Sequence, residues 1–248
     1  MPDNSAFQEF YLREIGVQTL LASHEASEPV TERETLTPSN EEPIMAISEA
    51  AVSVLSVNQT SSGESSLQDL ALQASSCTAC TLCDERHTVV FGVGAPKADI
   101  VFIGEAPGHE EDLKGEPFVG RAGQLLDRML LSQGMDRSQV YIMNTVKCRP
   151  PNNRDPKPEE VQACGRWFDA QLRALSPKLI CLLGRVAAQT VLETDAPLSA
   201  MRGKWHEYHG IPLRVMYHPA YLLRSPRQKR HAWHDLCEFQ KRYQLLLT

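Results

Sequence analysis

Four cysteines, placed in two distant parts of the chain, have the spacing of a metal centre. Cys77 and Cys80 form a CxxC pair, while Cys148 and Cys164 bracket a loop rich in Pro, Asn and Arg. Four thiolates can hold zinc or an iron–sulfur cluster, and spacing alone does not choose between them. The alternative is a redox CxxC with two core thiols. A thioredoxin-type pair normally follows a strand and opens a helix, unlike CTACTLCDERHTVVFG, so we favour a metal centre.

Three further cysteines complete the total of seven. Cys83 continues the C-x2-C series and has no obvious partner, whereas Cys181 and Cys237 lie in an apolar strand and a helix and should be core residues. The start, MPDNSAFQEFYLREIG, lacks a basic segment followed by an apolar one, and no apolar run approaches a membrane span. We therefore expect a cytoplasmic protein without a membrane anchor, in which disulfides are rare.

The elements that would position these cysteines alternate between strands and helices. Apolar runs predict strands at 98–104, 140–144, 178–184 and 212–218. Helical periodicity predicts helices at 122–134, 157–175, 185–193 and 229–246. Such a pattern predicts a three-layer α/β/α domain around a mostly parallel, four-stranded sheet covered on both faces.

Unusual residues follow each predicted strand. The first strand ends in GEAPG, the second in Asn144, the third in Gly184 and the fourth in His218-Pro219. Because ligands of such folds bind beyond the carboxyl ends of the strands, these residues should meet at one site.

The first quarter of the chain differs from the rest in composition and charge. Residues 1–22 have helical apolar spacing, which suggests a peptide that docks on a protein partner or a helix that packs on its own domain. Residues 23–66 are rich in Ser, Thr, Glu and Pro, which predicts a disordered linker. Residues 1–66 hold 11 Asp/Glu against 2 Arg, whereas 67–248, the predicted catalytic domain, hold 20 Asp/Glu against 23 Lys/Arg. This asymmetry points weakly to a nucleic-acid partner.

Eight motifs in order resemble the family 4 uracil-DNA glycosylases, the iron–sulfur branch of that superfamily. They are CTAC (77–80), VVFGVG (89–94), GEAPGHEED (104–112), PFVGRAGQLL (117–126), NTVKCRPPNNRDP (144–156), GRVAA (184–188), MRGKW (201–205) and YHPAYLLR (217–224). The resemblance covers about 77–245 and leaves residues 1–66 outside. It implies a monofunctional enzyme that flips uracil out of DNA and hydrolyses its glycosidic bond, leaving an abasic site for base excision repair.

The resemblance also implies a [4Fe-4S] cluster, most simply in a structural role. Its ligands would be Cys77, Cys80, Cys148 and Cys164, with Cys83 as a bystander. The cluster would then fix both ends of the 149–163 loop. Four side chains of that loop would be held toward DNA: Arg149, Asn152, Asn153 and Arg154.

Three residues match the family's base-binding groups. Phe118 would stack on the flipped base, although it could be a core residue. Asn144 would read O4 and N3–H of uracil with its amide, although it could cap the strand end. His218 would donate a hydrogen bond to uracil O2 as charge develops there, although a buried histidine can be structural.

The residue that activates water is less clear from the sequence. Ala106 stands where the best-known uracil glycosylases carry Asp, which is normal for family 4. Glu105, Glu111 and Asp112 are the nearby carboxylates, and we rank Glu105 above Glu111, which could instead brace the loop. The backbone at Gly104 and Ala106 should contact the uracil.

Residues after His218 should contact the DNA. Leu222 resembles the wedge that enters the base stack. Alternatively, Leu223 is the wedge, or Leu222 is a core residue at the start of a helix. A basic run suited to phosphates follows, made of Arg224, Arg227, Lys229 and Arg230.

Two other functional classes remain open at this level. One related branch traps uracil-DNA covalently through a histidine in an inserted basic loop, but RPPNNRDP has neither the insertion nor the histidine. The other class is an adaptor that a metal or cluster stabilises and that binds DNA without releasing a base. For the favoured glycosylase we expect a monomer.

Overall fold

The structure, a computed structural model, describes residues 66–247. The helix predicted over 1–22, and the linker predicted over 23–66 except for Ser66, lie outside the described residues. Ser66 itself caps the first helix: its hydroxyl accepts from the Asp69 amide, and the Asp69 carboxylate accepts from the Ser66 amide.

Six strands form one sheet in the order β1-β3-β2-β4-β6-β5. They are β1 (Val93–Gly94), β2 (Ile100–Gly104), β3 (Tyr141–Asn144), β4 (Leu179–Leu183), β5 (Trp205–Tyr208) and β6 (Ile211–Met216). The four central strands are parallel to one another and are the four that the sequence predicts. Two short antiparallel strands, β1 and β5, extend the sheet at its edges.

Eight α-helices occur in the described part of the chain. They are α1 (Leu67–Ser75), α2 (His109–Lys114), α3 (Arg121–Leu131), α4 (Pro158–Leu175), α5 (Arg185–Leu192), α6 (Leu198–Met201), α7 (Pro219–Arg224) and α8 (Lys229–Leu246). The predicted helices correspond to α3, α4, α5 and α8, with ends that agree within three residues. The other four helices are short and were not predicted.

Alternate residues of the central strands face two separate apolar cores. Phe102 and Ile142 pack with residues of α3 and α8, whereas Ile103 and Met143 pack with residues of α4 and α5. Each strand is buried on both faces for this reason, and the predicted three-layer α/β/α architecture is confirmed.

The strand register aligns the ends that form the site. Gly104, the last residue of β2, pairs with Asn144, the last residue of β3. On the other side, Leu183 of β4 pairs with Met216 of β6, two residues before His218. Among the helices that the structure describes, none has both the length and the apolar character to cross a membrane.

Candidate active site and cysteine centre

A cleft of about 570 Å³ opens at the carboxyl ends of the parallel strands. Its size lies within the range of ordinary ligand sites. The residues singled out from the sequence that line it include Glu105, Ala106, Glu111, Phe118, Asn144, Asn153, Arg154, Gly184, His218 and Arg224. The cleft lining does not include Gly104, Arg149 or Leu222.

Gly104 shapes the cleft from below. A Cβ atom at this position would lie 2.4 Å from Asn144 Oδ1 and 2.7 Å from Phe118 Cζ. Asn144 is only 2% exposed, so its amide has little room to move away. Gly104 therefore allows the amide and the aromatic ring to lie side by side, and a contact of its backbone with uracil stays a prediction.

Phe118 is held in an unusual backbone conformation. Its φ is +54°, in the left-handed region that bulky residues rarely adopt. Glu111 Oε1 accepts hydrogen bonds from the amides of Val119 and Gly120, both at 3.0 Å, and so fixes the loop that carries the ring. A Cβ atom on Gly123 would come within 1.7 Å of the Phe118 carbonyl oxygen. These contacts give Glu111 the bracing function that the sequence left open.

His218 begins α7 and presents a neutral imidazole. Its Nδ1 accepts a hydrogen bond from the Ala220 amide at 3.1 Å. Burial, aided by the positive charge of Arg224 and opposed by Glu111, lowers the pKa of His218 to about 4. Because a neutral ring with an accepting Nδ1 carries its proton on Nε2, His218 supplies one hydrogen-bond donor. The ring centroid lies 5.5 Å from that of Phe118.

Glu105 is a carboxyl group that is easily protonated at neutral pH. Burial, followed by the nearby negative charge of Asp155, raises its pKa to about 7, while Arg185 opposes the shift. Asp112, by contrast, is fully buried and accepts from the His87 amide at 3.0 Å. The cleft lining does not include Asp112, so among the nearby carboxylates Glu105 and Glu111 remain the candidates.

The predicted DNA-contacting residues differ in exposure. Leu222 is 0% exposed and belongs to the core, which contradicts its assignment as the wedge because a wedge must be accessible. Its neighbour Leu223 is half-buried, so the alternative assignment of the wedge to Leu223 stays a prediction. Arg224, Arg227 and Arg230 are exposed, as expected for phosphate contacts. Lys229 is buried, which does not suit that purpose. Lys229 is the first residue of α8 and one of the buried residues of that helix.

Arginines of the loop between Cys148 and Cys164 form hydrogen bonds with other groups of the protein. Arg154 forms two hydrogen bonds to the buried carboxylate of Glu160, at 2.8 and 2.6 Å. Arg149 donates to Asn153 Oδ1 at 2.7 Å and contacts His109 Nδ1 at 3.1 Å. Asn152 and Asn153 are exposed. The DNA contacts of this loop stay predictions, and in this structure both arginines bind protein groups.

Comparisons with known proteins decide the family. The family model described as the uracil DNA glycosylase superfamily matches residues 91–237. The chain belongs to the uracil DNA glycosylase superfamily. Its relatives include type-4 uracil-DNA glycosylases of Archaeoglobus fulgidus, 49% identical over 65% of this chain and 85% of the relative, and of Sulfurisphaera tokodaii, 40% identical over 74% and 86%. A third, from Thermotoga maritima, is 46% identical over 60% and 79%. The resemblance to family 4 is therefore confirmed.

In this uracil-DNA glycosylase superfamily member, the four predicted ligand cysteines line one small cavity beside α1 and α4. They are Cys77, Cys80, Cys148 and Cys164, of which the last two are buried. Within residues 66–247, no group of three or more His, Cys, Asp or Glu side chains is arranged to hold a single metal ion. Cys83 is not part of the cavity lining, and its thiol donates to Asp84 at 3.3 Å. Cys181 is buried in the apolar core, as predicted, whereas Cys237 is half-buried and packs against that core.

Several N–H groups point at the cysteine sulfurs. Trp167 Nε1 donates to Cys77 Sγ at 3.3 Å, and Arg86 Nη1 donates to Cys148 Sγ at 3.2 Å. The Lys147 amide donates to Cys164 Sγ at 3.3 Å, and Arg166 also reaches Cys77. A thiolate accepts such bonds far better than a thiol, so these donors fit sulfurs that serve as anionic ligands.

Sequence reasoning did not select three polar residues of the cleft: Asp155, Arg185 and Tyr221. All three lie within the matched motifs, since Asp155 belongs to NTVKCRPPNNRDP, Arg185 to GRVAA and Tyr221 to YHPAYLLR. Arg185 closely follows the end of β4, which was an available signal, whereas Asp155 lies inside a loop and Tyr221 inside α7. Only the folded chain shows that Asp155 and Arg185 form an ion pair at 2.7 Å.

Proposed function

We propose that this chain is a monofunctional uracil-DNA glycosylase of type 4. One observation carries the proposal: a buried amide, an aromatic ring and a neutral histidine donor line a single cleft in a member of this superfamily. The type-4 relatives support uracil in DNA as the substrate. The reaction is hydrolysis of the bond between uracil N1 and the sugar C1′, which leaves free uracil and an abasic site.

Base recognition would come from Asn144 and Phe118. The Asn144 amide offers a donor to uracil O4 and an acceptor to N3–H. Cytosine presents an amine in place of O4 and a lone pair in place of N3–H, so both contacts would become unfavourable. The Phe118 ring adds stacking, worth about 1–3 kcal/mol per base and independent of base identity. Thymine would be rejected by steric conflict at its methyl group.

Bond cleavage needs stabilisation of the departing uracil. As the C1′–N1 bond breaks, its electron pair moves into the base, and negative charge builds on O2. His218 Nε2–H would donate to that oxygen as the charge grows, which favours the transition state over the ground state. Since the imidazole is neutral before and after donation, the step does not require the histidine to lose its proton.

Glu105 is the residue we propose to position and deprotonate the attacking water. The water oxygen bonds to C1′, and its proton passes to the carboxylate and then to solvent or to the uracil anion. A pKa of about 7 makes Glu105 a stronger base than an ordinary carboxylate. Glu111 would act indirectly, because it holds the loop that carries Phe118.

We propose that Cys77, Cys80, Cys148 and Cys164 hold a [4Fe-4S] cluster. A shared cavity and sulfur-directed N–H groups support this assignment. When bound, the cluster would supply a rigid cross-link rather than a step in hydrolysis. It would tie α1 and its following turn to both ends of the loop that lines the cleft.

The remaining assignments complete the proposal. Arg224, Arg227 and Arg230 would contact phosphates, and Leu223 would fill the gap left by the flipped base. Residues 1–22 would dock on a protein of the replication or repair machinery, and the enzyme would act as a monomer. A cytoplasmic location fits the free cysteines of the described region.

The test is base release from a labelled oligonucleotide that carries one uracil, followed by alkali to cut abasic sites. We expect cleavage by the wild type and none above background by Asn144→Ala. Lack of cleavage by iron-containing wild-type protein would overturn the proposal in favour of an adaptor. A covalent complex that survives denaturation would favour the DNA-trapping class instead.

A further inference from the structure

Three ionisable side chains, one of them on the loop between Cys148 and Cys164, line the same cleft. Glu105 follows β2, Asp155 lies on the loop between Cys148 and Cys164, and Arg185 begins α5. They come from three separate segments of the chain. Nothing in the local sequence around any one of them requires the other two, so their meeting is a property of the fold.

Arg185 binds Asp155 rather than Glu105. Its Nη2 lies 2.7 Å from Asp155 Oδ2, and its Nη1 donates to Gln189 Oε1 at 2.7 Å. The guanidinium is thereby fixed on α5, and it fixes Asp155 in turn. Side chains of both members are about half-exposed, 49% for Arg185 and 62% for Asp155, so the pair adds little to folding stability.

Glu105 is half-buried, the least exposed of the three residues, and lines the same cleft as both charged neighbours. Asp155 lines the same cleft, and its negative charge opposes ionisation of Glu105 and raises the pKa of that carboxyl. Asp155 therefore favours a proton on Glu105, whereas Arg185 favours its loss. Other charged or titratable groups line the same cleft, namely Glu111, Arg154, His218 and Arg224.

We propose that Asp155 and Arg185 form an opposed pair that sets the protonation of Glu105 and thereby the pH range of base release. This inference rests on the proposed function and adds two positioning residues to it. Asp155 belongs to the cysteine-bracketed loop, so the same loop that would be anchored by the cluster also delivers the charge. The pair acts through Glu105 and does not itself contact the reacting atoms.

The two members should move the pH profile in opposite directions. If the Glu105 carboxylate is the active form, the rate rises with pH through the pKa of this group. Asp155→Asn removes a negative neighbour, which lowers that pKa and moves the acid limb to lower pH. Arg185→Gln removes a positive neighbour and moves the limb to higher pH. Each displacement should be about 0.5 to 1 pH unit, because both charges are partly exposed and solvent screens them.

The experiment is single-turnover uracil release with enzyme in excess, measured from pH 5 to 9 for the wild type and each variant. Saturating enzyme separates the chemical step from DNA binding. Arg185→Lys keeps the positive charge and should leave the limb near its wild-type position. Asp99→Asn removes a similar, partly exposed pair with Lys178 that lies at the amino ends of β2 and β4, opposite the carboxyl ends that form the cleft, and should leave the profile unchanged.

Each outcome decides something different. If the acid limb moves in the same direction in Asp155→Asn and Arg185→Gln, or moves in neither, the inference is wrong. Only the removal of opposite charges should move the two limbs in opposite directions, whereas a general loss of stability should not. An acid limb that survives in Glu105→Gln would overturn it too, since the limb would belong to another group. Absence of uracil release at every pH would instead overturn the proposed function. In that event, ¹³C NMR titration of the Glu105 carboxyl in the same variants still tests the pair.

Discussion

At the scale of single residues, the groups proposed to recognise uracil are uncharged. Asn144 is an amide, and His218 is a neutral imidazole whose pKa burial lowers to about 4. An ion in this buried position would lose much of its hydration before any ligand arrived. Neutral donors avoid that cost, and their hydrogen bonds strengthen when negative charge develops on the base.

The neutrality of His218 gives a first prediction. NMR of the imidazole should show one Nε2–H tautomer and no titration between pH 5.5 and 8, because the pKa of about 4 lies below that range. His218→Ala should lower the single-turnover rate about 10²- to 10³-fold, the usual effect of removing one such donor. DNA affinity should change only slightly, since the donor matters chiefly when charge develops.

His234, an exposed histidine on α8, provides the matched control. His234→Ala should keep the wild-type rate. An imidazole at position 218 that titrates near pH 6.5 would contradict the buried, neutral form described above.

At the scale of elements, the loop between Cys148 and Cys164 connects the cysteine centre to the cleft. Its residues Pro150, Asn153, Arg154 and Asp155 line the cleft, while its two ends line the cysteine cavity. Between Cys148 and the start of α4 at Pro158 the loop contains one short 3₁₀ turn, Pro151–Asn153, and Cys164 lies inside α4. Anchors at both ends therefore govern where its side chains lie.

A second prediction concerns those anchors. Cys164→Ser should lose the iron and the visible absorbance of a cluster and should release uracil at least ten-fold more slowly, although Asn144 and His218 are untouched. Iron content, absorbance and single-turnover rate are measured on the same protein. Cys83→Ser is the matched control and should retain all three, because Cys83 lies outside the cavity lining. Loss of iron from Cys83→Ser with retention in Cys164→Ser would reverse the ligand assignment.

The elements also show what the sequence could predict. Near-continuous apolar runs predicted the four central strands because those strands are buried on both faces. The edge strands were missed since Val93–Gly94 is only two residues long and Trp205–Tyr208 has exposed and half-buried positions that carry little apolar signal.

The same limit applies to the cleft. Asn144 and His218 were predicted because each follows a strand end and matches a motif. Asp155 and Arg185 are 30 residues apart and meet only when the cysteine loop folds over the start of α5. Leu222 was misassigned because α7 turns one face to the core, and sequence alone did not show whether Leu222 or Leu223 occupies that face.

At the scale of the whole molecule, charge is divided between two regions. Residues 1–66 have nine more acidic than basic residues, whereas residues 67–248 have three more basic than acidic ones. Acidic residues repel DNA phosphates over roughly a Debye length, about 8 Å at physiological salt. The first region should therefore weaken nonspecific binding by the second.

A third prediction follows from this division. Deleting residues 1–60 removes ten acidic and two basic residues. The truncated enzyme should release uracil from short DNA at the wild-type rate, bind DNA more tightly at low salt, and fail to capture its partner in a pull-down. Fluorescence anisotropy over a salt series measures the binding.

A full-length variant separates charge from docking. If the ten Asp/Glu residues of 1–60 are changed to Asn/Gln, DNA affinity should resemble that of the truncated enzyme. Loss of the single-turnover rate on truncation would show that residues 1–60 contribute to catalysis, which the proposed docking function excludes.

Two glycines described above have no side chain with which to recognise a base, yet they determine how the enzyme tolerates sequence change. A methyl group on Gly104 would collide with Asn144 and Phe118, and one on Gly123 would collide with the backbone of Phe118. In a saturation mutagenesis screen for uracil removal, both positions should therefore reject even alanine, as strictly as the residues that recognise the base. Position 134, a glycine whose added Cβ would meet nothing within 4 Å, should tolerate far more, apart from the backbone strain of its positive φ. Intolerance to substitution should thus extend beyond the residues that touch DNA to the glycines that leave room for Asn144 and Phe118.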